Sequence, residues 1–373
     1  MTSTEIQVAP GTPAAPAADP EALIERMFAA GLAAMDLIAV YLGDRLGLYR
    51  LLAEAPLTAG ELAAAAGADE RYVREWLEQQ AVTAILAVDD ADADPAERRF
   101  HLPAAYHGSF LDPDSPLHLA PPMARAMVAV TRQAPALLRA FRSGDGVPYE
   151  AYGPDMREAI EAFNRPAFVN LLCAAWLPAM PDIDGRLRTP GARVAELACG
   201  SGRAAIALAL GYPGLRVDGF DLDEASIDRA RANAAEAGVG DRVTFAVRDA
   251  SSDAAAGGYD LVCVFEALHD MARPVEALAA ARALAAPDGH VLVVDERTGE
   301  RFTAPGDDLE RFFYGSSVAF CLPTARTERP SAATGTVMRP ATLASYALAA
   351  GFARVEEAPI DYPFWRFYRL HAA

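Results

Sequence analysis

The segment Val194-Ala-Glu-Leu-Ala-Cys-Gly-Ser-Gly-Arg203 constrains this chain more than any other. An apolar run closes near Glu196 and breaks into Ala198, Gly200 and Gly202. A turn of small residues between a strand and a helix lets backbone approach a ligand closely at the helix N-terminus. From Gly191 onward the pattern is strands mixed with helices. Strand-like "RVAELA", "LRVDGFDL", "RVTFAVRDA", "YDLVCVFEAL" and "HVLVVDE" are interspersed with helix-like "GRAAIALALG", "EASIDRARANAAEAG" and "PVEALAAARALAA". "HVLVVDE" follows a Pro-Asp-Gly turn at 287–289. Such an alternation predicts an α/β fold, a doubly wound parallel sheet with ligands at the carboxyl ends of its strands.

The first half of the chain reads differently. Residues 1–20 are rich in Ala, Pro and Thr without periodicity, which predicts a disordered tail. Residues 21–115 form a second, mainly helical unit. Apolar residues recur at helical spacing from Pro20 to about Ala55, with breaks expected at Gly31, Gly43 and Gly47. Thr58 followed by Glu61 is a capping box, Asp69 can cap a second helix, and Gly67 supplies the turn between them. "AVDDADADPAERRFHL" then reads as strand, acidic loop and strand, which completes a winged helix. Residues 116–185 read as a helical linker interrupted at "SGDGVPYEAYGPD", and residues 186–373 as the ligand-binding domain.

Charge and composition exclude several functions. The formal net charge is −18, and the second helix of the winged unit carries Glu70, Glu75 and Glu78 beside Arg71 and Arg74. That surface repels phosphate, so a nucleic-acid partner is not expected, and a dimerisation or lid role is. All 33 basic residues are Arg, which excludes a lysine base or Schiff base. Cys173, Cys199, Cys263 and Cys321 lie far apart in apolar settings without metal-ligand spacing, as reduced thiols in a cytoplasmic protein do. Neither a signal peptide nor a membrane-spanning run is visible, and no metal site is expected.

The choice of ligand turns on carboxylates at strand ends. Gly200-Ser-Gly202-Arg-Ala-Ala205 also fits the G-x-G-x-x-A version of the dinucleotide fingerprint. A pyrophosphate on that turn would be repelled by Glu196. S-adenosylmethionine has no phosphate there; it brings an ammonium and a sulfonium, which a carboxylate favours. Asp221 ends the second strand 19 residues after Gly202, the spacing for a carboxylate that accepts from ribose hydroxyls of either cofactor. It could instead cap the next helix, a task Asp223 can also perform.

The acid-x-G-x-G-x-G pattern resembles the first motif of class I S-adenosylmethionine-dependent methyltransferases, with Ala198 where the first Gly would stand. "ADERYVREWL", "GVPYEAY", "DRVTF", "GYDLVCVFEALHDMARPVEALAAARALAAPDG" and "RFFYGSS" extend the likeness over roughly residues 25–370. They resemble a group of actinobacterial methyltransferases with an N-terminal winged-helix domain. The resemblance implies a Rossmann-like seven-stranded methyltransferase sheet, S-adenosylmethionine as cofactor, and a homodimer formed through the helical domain. It also implies that Asp249 accepts from the adenine amino group, with the Ala250 amide reaching the ring. Leu222, beside Asp221, and Phe265, at the end of the fourth strand, complete the cofactor-binding candidates.

"LHD" at 268–270 resembles the motif of plant and polyketide O-methyltransferases in which the His is the general base. The resemblance implies that role for His269, with Asp270 beside it. An imidazole suits the task because a phenol or enol must lose its proton to attack the methyl well. Asp295 or Glu296, ending the next strand, could orient the ring. Alternatively His269 could cap or bond within its own loop. Phe312, Phe313 and Tyr314 are candidates to line a hydrophobic or aromatic acceptor pocket, whereas "FWRFYRL" reads as a final strand.

These residues predict transfer of a methyl group to a small secondary metabolite, most simply on oxygen. Two alternatives stand at this point. The fold could use the cofactor for a rearrangement or cyclisation, or for ligand sensing. An NAD(P)-dependent oxidoreductase could read the same glycines, although no Tyr-x-x-x-Lys dyad exists in a chain without Lys.

Overall fold

The computed structural model describes residues 19–252 and 257–372, so the expected tail lies outside them except for its last two positions. Those two start a helix. Asp19 accepts hydrogen bonds from the amides of Glu21 and Ala22, Pro20 occupies the first turn, and α1 runs unbroken over Pro20–Arg45. The breaks expected at Gly31 and Gly43 do not occur. Gly43 stays helical because the Trp76 and Tyr49 rings press on it: a Cβ there would lie 2.3 Å from the Trp76 ring. Of the three glycines Gly47 alone, in the left-handed region at φ 69°, separates α1 from α2 (Leu48–Glu54).

The winged unit forms as the local signals dictate. Both bonds of the Thr58–Glu61 capping box are made at the start of α3 (Ala59–Ala66), and Gly67 ends it in the left-handed region. Asp69 caps α4 (Glu70–Val82). Two short antiparallel strands, β1 (Ala87–Val88) and β2 (Phe100–His101), make the wing. Leu48, Leu52, Leu62, Leu77 and Phe100 close its core. On α4 the two arginines are matched within the helix, Arg71 by Glu75 and Arg74 by Glu70.

After α5 (His107–Phe110), which ends the winged unit, the linker is a stack of helices: α6 (Ala120–Arg132), α7 (Ala134–Ser143), α8 (Gly153–Ala167) and α9 (Pro181–Leu187). Helix α8 joins the two halves of the molecule. One side carries Asp155 and Glu158, which take Arg45, Arg125 and Arg132 from α1 and α6. The other side carries Arg157, Glu161 and Asn164 at i, i+4 and i+7. Pro166 lies inside α8, and the chain widens into a π-helix at Phe168–Trp176. Proline removes an amide and its ring crowds the preceding turn, which such widening accommodates.

The second half is the expected seven-stranded sheet. Its strands are β3 (Arg193–Leu197), β4 (Arg216–Asp221), β5 (Val243–Val247), β6 (Tyr259–Phe265), β7 (Ala285–Glu296), β8 (Phe352–Glu357) and β9 (Trp365–Ala372). The order is β5-β4-β3-β6-β7-β9-β8. The first five are parallel; β9 is antiparallel to both neighbours. Alternate residues feed two cores. Val194, Val217, Leu261 and Cys263 face α10 (Arg203–Gly211), α11 (Glu224–Glu236) and the π-helix. Ala195, Leu197, Val262 and Val264 face α12 (Pro274–Leu284) and, after α13 (Asp308–Ser316) and α14 (Leu322–Ala325), α15 (Pro340–Ala349).

Two details depart from the sequence pattern. The Pro-Asp-Gly turn does not precede β7 but bulges from within it, because Ala285 already pairs with Tyr259 before pairing resumes at Leu261 and His290. Strand β8 has no alternation signal, its residues after Phe352 being mostly exposed at the sheet edge.

The two helical glycines of α1 give a test of opposite signs. Nothing lies within 4 Å of a Cβ at Gly31, so Gly31→Ala should stabilise the protein by about 1 kcal/mol through helix propensity. Gly43→Ala must displace Trp76 and should destabilise by about 1–3 kcal/mol despite the same propensity gain. Urea unfolding midpoints of the two variants check this.

Candidate functional site

The strand order reverses between β3 and β6: the chain steps outward to β4 and β5, then crosses back to β6 and β7. Adjacent loops diverge at such a point and leave a crevice. Here the crevice is a cavity of about 870 Å³ reaching from the ends of β3–β6 to α8 and the segment after α14. That lies in the upper part of the ~300–1,000 Å³ range of small-molecule sites.

Glu196 sits near the end of β3, 3% exposed. Its carboxylate accepts the Ala205 amide, one of the donors that the first turn of α10 leaves free. Its second oxygen, Oε2, is buried without a partner although Glu196 lines the cavity. Burial pushes this carboxyl up to about 8. A cation brought to Oε2 would satisfy it; an anion would meet a second like charge.

The turn after Glu196 takes the left-handed conformation three times, at Ala198 (φ 56°), Gly200 (φ 51°) and Gly202 (φ 75°). Gly202 is required twice over, since a Cβ would also lie 2.4 Å from the Phe245 ring. Ala198 holds the same backbone at a steric cost of about 1–2 kcal/mol. Gly200 donates its amide to Asp221 Oδ2 at 2.8 Å, and Asp223 donates to Asp221 Oδ1 at 2.9 Å. Asp223, not Asp221, caps α11 through the Ser226 amide. Asp221 is thus oriented from behind and turned to the cavity, with burial raising its carboxyl.

Leu222, Asp249, Ala250 and Phe265 also line the cavity, together with Glu196, Ala198, Gly200 and Asp221; of the cofactor-binding candidates only Gly202 does not, packing against Phe245 behind the turn. Asp249 is already engaged: Ser251 donates its amide and hydroxyl to Oδ1, and Arg273 reaches Oδ2.

The acidic trio of the strand ends therefore fits an adenosyl ligand with a cationic amino-acid end. Glu196 would take the ammonium, Asp221 the ribose, and the Asp249–Ala250 corner the adenine.

The expected base behaves differently. His269 lies in the short turn Leu268–Asp270, 2% exposed, and does not line the cavity. Its Nδ1 is 2.9 Å from Asp295 Oδ1 and 2.8 Å from Glu296 Oε2, and the ring shares a further hydrogen bond with Cys321. Burial alone would lower the imidazole, but the charges of Glu296 and Asp295 outweigh it and hold the ring well above its ordinary value. At neutral pH His269 is an imidazolium paired with Asp295, while burial raises the Glu296 carboxyl. In this arrangement the ring is enclosed and paired with Asp295, apart from the cavity. Its neighbour Asp270 does face the cavity, with burial pushing its carboxyl up to about 6. Among the described residues, His269, Asp295 and Glu296 also form a group whose ligand atoms lie within 4.8 Å of one another, as a cation site would need.

Phe312, Phe313 and Tyr314 do not line the cavity either. Phe313 is buried in α13, whereas Phe312 and Tyr314 are exposed, with Tyr314 against Phe302. The aromatic wall comes instead from Tyr149, Phe168 and Phe265. Phe168 follows Pro166 and stacks near Trp365 of β9. Sequence reasoning missed this wall because it depends on how α8 docks. It also missed Glu266, a charged residue closing an otherwise apolar strand as Glu196 does.

Comparison with known proteins agrees with this geometry. Residues 195–291 match the "Methyltransferase domain" family and residues 33–111 the "Rv2258c-like winged HTH domain" family. Mitomycin 7-O-methyltransferase MmcR shares the fold at 21% identity and a TM-score of 0.66, over 95% of this chain and 98% of that one. Human N-acetylserotonin methyltransferase, solved with S-adenosylmethionine, does so at 19% and 0.65, over 96% and 100%. PigF with S-adenosylhomocysteine does so at 18% and 0.70, over 95% and 99%. By its matched domains and its sheet, the chain has the class I methyltransferase fold with an N-terminal winged HTH domain similar to the Rv2258c-like family.

Proposed function

We propose that this protein is a cytoplasmic, homodimeric S-adenosylmethionine-dependent methyltransferase that methylates a small secondary metabolite on oxygen. The observation that carries the cofactor assignment is the unpartnered Glu196 Oε2 opening on the cavity that also holds Asp221 and Asp249. Bound S-adenosylmethionine supplies an electrophilic methyl group on sulfur. Glu196 holds the ammonium end, Asp221 fixes the ribose and Asp249 with Ala250 the adenine, so the cavity beyond Phe265 is left for an acceptor. A dinucleotide fits this wall poorly, because a phosphate beside Glu196 keeps that carboxyl protonated and forgoes the ion pair that an ammonium makes with it.

The dimer rests on α1. Ile24, Phe28 and Met35 are each about 70% exposed, and no described residue covers them. Contiguous apolar surface of this kind marks an association face. Sedimentation velocity should give a dimer, and Phe28→Glu with Met35→Glu should give a folded monomer.

Titration calorimetry tests the cofactor. S-adenosylhomocysteine should bind in the micromolar range while NADH and NADPH do not. Glu196→Gln should weaken binding about 10- to 100-fold, the worth of a hydrogen bond to a charged group. The carboxyl near 8 adds a signature. At pH 7 free Glu196 is mostly protonated, and an arriving ammonium favours the ionised form. Binding should therefore release close to one proton, read as a dependence of the binding enthalpy on buffer ionisation heat and absent in Glu196→Gln.

A further inference from the structure

Glu266 is a carboxylate of the cavity wall that none of the cofactor contacts above uses. It directly follows β6, the strand beside β3, where Cys263 is in register with Glu196 and Val264 with Leu197. Phe265 and Glu266 therefore stand next to the turn at Ala198, and both line the cavity with Asn164 and Phe168 of the opposite wall.

Its conformation is costly and heavily supported. Glu266 has φ 52°, a left-handed backbone that a long side chain seldom takes. Its amide donates to Val294 of β7 at 2.7 Å, and its carboxylate accepts from the side chains of Trp365 and Asn164. Backbone strain held by several partners is characteristic of residues kept in place for function. Two neutral donors fix the carboxylate without neutralising it. The charged and titratable groups around it are His269, Asp295 from β7 and Tyr362 before β9. Burial pushes the carboxyl up to about 7, so it can take up a proton near neutral pH.

We propose that Glu266 is the catalytic residue that binds the acceptor's nucleophilic O–H or N–H and takes its proton. This rests on the methyltransferase reading above. As the acceptor atom attacks, its bond to the methyl carbon forms and the sulfur–methyl bond breaks. The electron pair stays on sulfur and the proton passes to Glu266. The same wall sets the substrate class. Eleven Asp and Glu line the cavity against five Arg, so a neutral or cationic acceptor is admitted and one bearing carboxylate or phosphate is turned away.

Sinefungin tests this without knowledge of the acceptor. It replaces the S-methyl group of the cofactor with an ammonium-bearing carbon, which places a cation where the methyl group would point. At about pH 8, where Glu266 is ionised, the wild-type protein should bind sinefungin at least about tenfold more tightly than S-adenosylhomocysteine. Glu266→Gln should bring that ratio to within about threefold while S-adenosylhomocysteine affinity stays unchanged, which also reports an intact fold. In the wild type the preference should shrink at about pH 6. A preference that survives in Glu266→Gln, or none in the wild type, overturns the role of Glu266 alone. Failure of both ligands to bind overturns the cofactor reading and this role with it.

Discussion

The contact between the Glu196 carboxylate and the Ala205 amide fixes the geometry on which the site depends. It ties the end of β3 to the first turn of α10 by using a donor that the helix cannot satisfy itself. The chain between them must then turn within a few residues, and it does so with three left-handed positions. That tight turn keeps the crevice at the β3–β6 reversal open, because no side chain of the turn is long enough to fill it. It also leaves one oxygen of Glu196 buried and unmatched, at a cost in the free protein that a cationic ligand offsets.

The same logic runs along the cavity wall. Asp221 is held by two backbone amides and Glu266 by two neutral side chains, so each keeps a charge-bearing face for a ligand. Asp249 differs in being matched by Arg273, a residue whose guanidinium also lies 3.8 Å from Glu328. The adenine end of the cavity is thereby linked to the segment after α14. At the other wall, α8 couples the site to α1 and α6, since Arg157 pairs with Asp223 while Asp155, two residues before it on the other side of the helix, takes arginines of α1 and α6. The helical domain is thus attached to the wall of the cavity that carries Asp223.

What the sequence made legible was local. Thr58 with Glu61, Asp69 and Asp223 act within a few residues of themselves, so their capping roles could be read directly. The acidic strand ends were legible because parallel strands flanked by helices place their carboxyl termini together. What escaped depends on distant partners. Gly43 is helical because of Trp76, the aromatic wall exists because α8 docks there, and Phe312 to Tyr314 miss the cavity because α13 turns them elsewhere. His269 was found as a residue but not as a charge state, since Asp295, Glu296 and Cys321 come from other elements.

That charge state bears on how the site divides its work. An imidazolium in a buried ion pair with Asp295 is expensive to disrupt: removing either member leaves an unmatched charge worth about 3–5 kcal/mol. In this arrangement it stands as a positive charge behind the wall. Glu266, three residues earlier along the chain but on the cavity side, feels that charge, which opposes the upward push of burial on its carboxyl. The result is a carboxylate kept near neutrality and facing the space beyond the cofactor end. The buried His–Asp pair thus acts on the proton affinity of Glu266, which lies three residues before the imidazole that the motif suggests.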